Sequence, residues 1–172
     1  MSTVDELLEN NRRFAASRGR AELDARPSRA LAVLACMDAR IDVLALLGLE
    51  TGEAHVLRNA GAVVTDDVIR SLAISQRRLG TTEVIVIAHT RCGMLSLTDE
   101  GFRAELERTT GAAPEFPIES FDDLDASVRE SMRRVRSSPF VLDAVRGFVY
   151  DVETHRLREV SADDAERSPR TS

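Results

Sequence analysis

Apolar positions along the chain fall into short unbroken runs and longer stretches with a helical period. Three runs have the length of buried strands, at residues 31–35, 54–57 and 83–88. The stretches between them are amphipathic, and Gly48 and Gly80 mark where the two intervening helices are predicted to end. An alternation of strand and helix predicts an α/β fold with a mostly parallel central sheet and right-handed crossovers.

The two ends of the chain carry further elements. Thr3 and Glu6 have capping-box spacing and predict an N-terminal helix to about residue 17. Its apolar side is narrow, so we expect it to lie across a partner subunit. The remaining predicted elements are a helix at 98–107, a helix capped by Ser120 and ended before Pro139, and a hairpin of strands 147–152 and 156–160. Residues 1–160 are predicted to form one domain, followed by a polar tail at 161–172.

Composition narrows the functional classes. With 43% hydrophobic and 30% charged residues, the chain has the balance of an ordinary globular protein. A formal net charge of −6 argues against a broad nucleic-acid surface. No apolar run approaches the length of about 20 residues that spans a bilayer, and the first residues carry no export signal. We therefore expect a cytoplasmic protein whose thiols stay reduced.

The only two cysteines both follow predicted strands. Cys36 comes directly after the first strand, whereas His89 and Cys92 follow the third. If those strands are neighbours, with the second strand outside the first, the three side chains converge at the carboxyl edge of the sheet. Two thiolates and an imidazole are a zinc ligand set, and three protein ligands leave a fourth position for water, as in catalytic zinc sites.

Two charged residues accompany Cys36. In extended backbone, side chains two residues apart share a face, so Asp38 and Arg40 are predicted to point with Cys36 towards the metal. Asp38 would orient a zinc-bound hydroxide, and Arg40 would keep Asp38 ionised through a charge-assisted pair. If that pair breaks, Asp38 can become a fourth ligand that closes the site.

Three motifs together resemble the β-class carbonic anhydrases, especially the short bacterial and actinobacterial members. They are Cys36-Met-Asp38-Ala-Arg40, Arg58-Asn59-Ala60-Gly61 and His89-Thr-Arg-Cys92-Gly93, within a similarity that covers about residues 3–160. The resemblance implies one Zn²⁺ per subunit held by Cys36, His89 and Cys92, with an Asp38–Arg40 dyad. It also implies a homodimer or dimer of dimers with active sites at the interface, and hydration of carbon dioxide to bicarbonate and a proton. Asn59, Gly61 and Gly93 are further candidates for the substrate pocket.

Other interpretations stay open at this point. Relatives with the same zinc set hydrolyse carbonyl sulfide or carbon disulfide, and the motifs do not separate these substrates. A non-catalytic scaffold or sensor would instead keep Asp38 as a permanent fourth ligand, in a closed site completed by the two cysteines and the histidine. Arg58 and Asn59 can be read as turn-shaping residues only. A phosphatase-like cysteine loop is disfavoured because Asp42 stands where its arginine is required, and no glycine-rich phosphate loop occurs.

Overall fold

A computed structural model describes residues 2–18 and 24–162 of the 172-residue chain. Most of the predicted tail at 161–172 lies outside the described residues, as does part of the segment that follows the first helix. The helices are α1 (Thr3–Arg18), α2 (Val43–Leu47), α3 (Asp66–Leu79), α4 (Asp99–Thr110) and α5 (Leu124–Ser137). The strands are β1 (Leu31–Cys36), β2 (Ala54–Asn59), β3 (Glu83–His89), β4 (Val145–Tyr150) and β5 (Leu157–Val160).

The five strands form one sheet in the order β2-β1-β3-β4-β5. The first four are parallel to one another and β5 pairs antiparallel with β4. This arrangement confirms the predicted mostly parallel α/β fold, with β1 beside β3 and β2 outside β1. The carboxyl ends of β1 and β3 are therefore adjacent at one edge of the sheet.

The core is built from apolar runs that are buried on both faces of the central strands. All of Ala32–Ala35 on β1 is fully buried, as are Val86 and Ile87 on β3. Helix α5 packs against β3 and β4 through Val128, Met132 and Val135. A continuous apolar run is the pattern expected of a strand covered on both sides, since neither face needs polar residues.

The start of α5 differs from the prediction. Its N-cap is Asp123, whose carboxylate accepts a hydrogen bond from the Ala126 amide at 2.9 Å. Ser120 instead donates its amide and its hydroxyl to Asp99 Oδ1 at the beginning of α4. The prediction that Ser120 caps the helix was therefore wrong, because the Ser120 side chain hydrogen-bonds to Asp99 and not to an amide at the start of α5.

The C-terminal hairpin is present with shifted strand bounds. Tyr150 on β4 pairs with Leu157 on β5, so the connecting turn spans residues 151–156 and is longer than predicted. Asp151 Oδ1 accepts hydrogen bonds from the amides of Glu153 and Thr154, at 2.8 and 3.2 Å. These bonds order the turn, which lies beside the end of β3.

Helix α1 has no buried residue in the monomer. Its apolar side chains are all exposed: Val4, Leu7, Leu8 and Phe14. Isolated exposed apolar side chains are common, but four on one helix form a surface that a partner can cover. Within the described ranges, no helix is both long and apolar enough to cross a membrane.

Candidate metal centre and active site

Three donor side chains meet where β1 and β3 end. Cys36 is the last residue of β1, His89 is the last residue of β3, and Cys92 lies in the turn that follows. Their potential ligand atoms all lie within 4.8 Å of one another, and the two sulfur atoms are 4.0 Å apart. All three side chains are buried, and both cysteines are free thiols. The sheet order therefore places these donors together, as the sequence predicted.

His89 is oriented for a ligand. Its Nδ1 lies 2.9 Å from the Thr90 carbonyl oxygen, which can accept only from an N–H, so this bond fixes the proton on Nδ1. The opposite ring nitrogen, Nε2, is buried and has no hydrogen-bond partner among the described residues. A buried nitrogen without a partner is costly unless a ligand uses its lone pair, so this atom fits a metal.

Each of the two thiols changes the pKa of the other. A hydrogen bond from the Cys92 thiol lowers the pKa of Cys36, and the resulting Cys36 thiolate raises the pKa of Cys92. Burial favours a neutral His89 ring, but the Cys36 thiolate outweighs it and the net pKa of His89 is raised. Without a cation, only one sulfur ionises readily. A divalent ion would stabilise both thiolates, and two cysteines with one histidine are a set of ligands that catalytic zinc sites use.

Asp38 and Arg40 form a two-pronged ion pair beside these donors. Arg40 Nε donates to Asp38 Oδ1 at 2.9 Å and Arg40 Nη2 donates to Asp38 Oδ2 at 2.8 Å. These bonds hold the pKa of the Asp38 carboxyl far below its usual range. Asp38 Oδ2 lies 3.7 Å from His89 Nε2, so the ionised carboxylate borders the donor cluster.

The reason for this convergence differs from the prediction. The strand ends at Cys36, and the chain then turns, with the Ile41 amide donating to the Asp38 carbonyl at 3.1 Å. The Arg40 amide also donates to Asp38 Oδ1 at 2.9 Å. An Asx-type turn, and not strand alternation, brings the two charged side chains together.

The loop that carries Cys92 also fixes Arg40. The Arg91 carbonyl accepts a hydrogen bond from Arg40 Nη2 at 3.0 Å, and Arg91 itself adopts a left-handed backbone with φ of 56°. The Arg91 guanidinium pairs with Glu153 at 2.7 Å, in the turn between β4 and β5. The charge of Arg91 is therefore balanced by that turn.

A small cavity of about 310 Å³ opens onto the donor cluster. Its lining is mostly apolar and consists of Cys36, Met37, Asp38, Ala60, Gly61, Cys92, Gly93, Met94 and Leu97. Gly61 has a φ of +80°, and a Cβ there would lie 2.8 Å from the Phe121 ring. Any larger residue would thus disturb the wall of the cavity, which is suited to a small neutral molecule.

Asn59 lies next to this cavity, not in it. Its side chain bridges the main chain of Val63, donating to the carbonyl at 2.7 Å and accepting from the amide at 3.0 Å. It lines a neighbouring apolar cavity that shares Ala60, Met94 and Leu97 with the first. Of the three pocket candidates, Gly61 and Gly93 line the cavity at the donor cluster.

The contacts of Arg58 could not be predicted from the sequence. This side chain, on β2, donates from Nε to the Cys36 carbonyl at 2.9 Å and from Nη2 to the Asp38 carbonyl at 2.7 Å. Hydrogen bonds to main-chain carbonyls leave no signature in the residue types of their acceptors. The only indication in the sequence was that Arg58 belongs to the second of the three motifs, Arg58-Asn59-Ala60-Gly61.

Comparisons with known proteins agree with this geometry. A family model for carbonic anhydrase matches residues 31–157. "Beta-carbonic anhydrase 1" from Mycobacterium tuberculosis is 51% identical over 163 residues, covering 94% of this chain and 99% of the relative. A carbonic anhydrase structure from Streptococcus mutans superposes with a TM-score of 0.89 at 40% identity, covering 94% and 99% of the two chains.

A more distant relative has a different name. "Carbon disulfide hydrolase" from an Acidianus species is 36% identical over 158 residues and covers 77% of this chain and 78% of the relative. The fold and the Cys-His-Cys cluster define an α/β protein with a group of side chains that could hold a metal ion. The chain belongs to the β-carbonic anhydrase family.

Proposed function

We propose that this protein catalyses the reversible hydration of carbon dioxide to bicarbonate and a proton. The observation that carries the proposal is the buried cluster of Cys36, His89 and Cys92, which opens onto both an apolar cavity and an ionised carboxylate. The 51% identity to a β-carbonic anhydrase supports the choice of reaction.

Cys36, His89 and Cys92 would hold one zinc ion. When bound there, zinc supplies a Lewis acid that makes water nucleophilic near neutral pH. Because Asp38 is fully ionised, it can only accept a hydrogen bond, and it orients the attacking oxygen with a lone pair towards the substrate carbon. Arg40 keeps Asp38 in this state. The apolar lining admits the uncharged substrate, whereas charged bicarbonate leaves towards solvent.

We also propose that the protein works as a homodimer or a dimer of dimers in the cytoplasm. The exposed apolar side of α1, with Leu7, Leu8 and Phe14, supports a subunit contact. The free buried thiols suit a reducing compartment. Light scattering on the full chain measures the oligomeric state directly, and a monomer at micromolar concentration would contradict this part of the proposal.

Hydrolysis of carbon disulfide or carbonyl sulfide is a second candidate function. The 36% identity to a carbon disulfide hydrolase supports it. Both substrates are linear, neutral and attacked at carbon, so the same cluster serves the same step. The greater identity to a carbonic anhydrase favours carbon dioxide.

Stopped-flow hydration of carbon dioxide, on protein of known zinc content, tests the proposal. We expect rapid hydration, with slower release of hydrogen sulfide from carbon disulfide or carbonyl sulfide on the same preparation. If hydrogen sulfide release were faster than carbon dioxide hydration, the proposed substrate would be wrong, whereas the proposed mechanism would still hold. Inactivity at every pH with zinc bound would instead favour the closed scaffold in which Asp38 is a ligand.

The ligand assignment has its own test. His89→Ala should lose zinc because the variant has only two thiols, whereas His155→Ala, on the turn between β4 and β5, should retain it. Zinc content by mass spectrometry under native conditions distinguishes the two variants. Full zinc occupancy in His89→Ala would contradict the assignment of His89 as a ligand.

A further inference from the structure

Both Cys36 and Asp38, in the segment Cys36-Met37-Asp38, have side chains that lie at the donor cluster. Cys36 supplies a sulfur donor and Asp38 supplies the carboxylate beside it, while Met37 between them is 65% exposed. Burial of Met37 therefore does little to fix the chain here. The segment also lies at the end of β1, where the regular ladder with β2 stops at the pair Cys36 and Asn59.

Beyond that pair, the segment is held from β2 by three hydrogen bonds. The Met37 amide donates to the Asn59 carbonyl at 2.9 Å. Arg58 then bonds the carbonyls on either side of Met37, at 2.9 Å to Cys36 and 2.7 Å to Asp38. One planar guanidinium thus spans the two peptide groups that set the direction of the Cys36 and Asp38 side chains.

The chemistry of arginine matters for this arrangement. A guanidinium presents several N–H donors at fixed angles, so it can bond two carbonyls simultaneously and hold their separation. A lysine ammonium keeps the charge but lacks the rigid fork. If only the charge of Arg58 mattered, lysine would replace it; if the spacing of the carbonyls matters, lysine would not.

We propose that Arg58 is a positioning residue that fixes the main chain of residues 36–38, so that Asp38 stays paired with Arg40 beside the metal donors. The inference rests on the proposed function for its kinetic readout only. Arg58 is neither one of the donor residues nor one of the residues that line the cavity. It reaches both only through its hydrogen bonds to the main-chain carbonyls of Cys36 and Asp38. The alternative is that Arg58 merely stabilises the turn after β2, as its sequence context suggests.

Two variants and a matched control separate these roles. Arg58→Lys retains the charge, and Arg58→Ala removes the side chain and leaves room for added guanidinium. Arg77→Ala is the control, because Arg77 also donates to two carbonyls, those of Phe140 at 2.9 Å and Pro139 at 3.5 Å. The loop that Arg77 holds takes no part in the site.

We expect a fall in kcat of about tenfold to a hundredfold in both Arg58 variants, since misplacing a catalytic group by about 1 Å has that effect. KM should change less than kcat, because Arg58 is not itself one of the lining residues and Ala60, Gly61, Gly93, Met94 and Leu97 keep their places in the wall. Guanidinium, but not ammonium, should restore kcat to Arg58→Ala. Arg77→Ala should keep wild-type kcat even if its melting temperature falls.

Cobalt substitution gives a readout that does not depend on turnover. The visible absorption of the Co²⁺-loaded protein reports the ligands around the metal, and we expect the spectrum to change in Arg58→Lys and to remain unchanged in Arg77→Ala. A wild-type spectrum and wild-type kcat in Arg58→Lys would overturn the proposal. If the parent protein did not hydrate carbon dioxide, the proposed function would fail, whereas the spectra would still decide the role of Arg58.

Discussion

The pairing of Asp38 with Arg40 is the feature of single residues on which the proposed reaction depends most. Half of the Arg40 side chain is exposed to solvent, and exposed ion pairs contribute little to the free energy of unfolding. The same pair has a large effect on the ionisation of Asp38, whose pKa lies well below its ordinary value because Arg40 donates two hydrogen bonds to it. We therefore expect its removal to affect catalysis more than stability.

The variant Arg40→Gln tests this expectation. Zinc content and melting temperature should stay close to those of the parent, because the metal donors and the core are unchanged. Activity should fall by about tenfold or more, since Asp38 loses the partner that aims it. The measurement is kcat for carbon dioxide hydration at equal zinc content.

Arg133→Gln serves as the control for Arg40→Gln. Arg133 forms a comparable exposed pair with Glu130 on the surface of α5, at 2.5 Å and away from the site. It should retain parental activity. Equal rates for Arg40→Gln and the parent would remove Arg40 from the mechanism.

The convergence of Cys36, His89 and Cys92 could be predicted from the sequence, whereas the hydrogen bonds of Arg58 that hold residues 36–38 could not. Cys36, His89 and Cys92 follow apolar strands, and the rule for parallel sheets brings such strand ends together once β1 and β3 are taken as neighbours. Arg58 escaped prediction because its partners are main-chain carbonyls, which every residue carries. The left-handed backbone of Arg91 escaped it too, since nothing in that residue type favours a positive φ.

At the scale of elements, helix α5 packs against β4, and β4 in turn pairs with β3, the strand that carries His89. Tyr150 on β4 pairs with His89 at the end of β3, so the position of β4 affects a residue of the proposed metal site. Gly147 faces α5 on this strand. A Cβ built at Gly147 would lie 2.3 Å from Val128 Cγ1 and 3.0 Å from the Met132 sulfur, so the missing side chain is what permits this close packing.

Gly147→Ala should therefore destabilise the fold. Inserting a methyl group into a packed interface costs about 1–3 kcal/mol. Urea unfolding, followed by circular dichroism, measures the loss for the variant against the parent.

A second substitution checks the cause of that loss. Val128→Ala removes the methyl group that the new Cβ would meet. The double variant Gly147→Ala/Val128→Ala should consequently lose less stability than the sum of the two single variants. Simple additivity would show that the contact with Val128 is not the source of the strain.

Boundaries of elements were harder to predict than their existence. Ser120 and Asp123 are both good N-cap residue types before an apolar face, so local sequence did not decide between them. The contact with Asp99 determines which residue caps the helix, because Ser120 hydrogen-bonds to Asp99 and leaves the N-cap position to Asp123. The hairpin turn was predicted to be shorter than the observed 151–156. The reason is again a side-chain contact, because Asp151 accepts hydrogen bonds from main-chain amides within a longer turn.

On the scale of the whole molecule, ion pairs tie the edge strand β5 to the rest of the fold. Arg158 on β5 donates to both carboxylate oxygens of Asp125 on α5, at 2.6 and 2.9 Å. Arg146 on β4 donates in the same way to Glu159, at 2.7 Å for both bonds. The hydrogen bonds from the arginines lower the pKa of Asp125 and of Glu159.

These lowered pKa values fix the sign of the dependence of stability on pH. A carboxyl group whose pKa is lower in the folded state binds protons more readily when the chain is unfolded, so it stabilises the fold above its ordinary pKa. For Asp125 the ordinary value is 3.8, and the stabilisation is lost as the pH falls below it through the folded-state pKa. The bond between α5 and β5 should thus weaken in acid.

Asp125→Asn isolates this contribution, because it removes the charge but keeps the shape of the side chain. The variant should unfold at a lower urea concentration than the parent at pH 7, and the difference should shrink as the pH falls below 3.8. Asp122→Asn is the control, since Asp122 lies just before α5 and outside the ion pairs that hold β5 in the part of the chain that the structure describes. Both variants are compared with the parent in the same zinc state, because acid also protonates the metal donors. A difference between Asp125→Asn and the parent that stays constant from pH 7 to pH 3 would mean that the Asp125 charge does not tie β5 to α5.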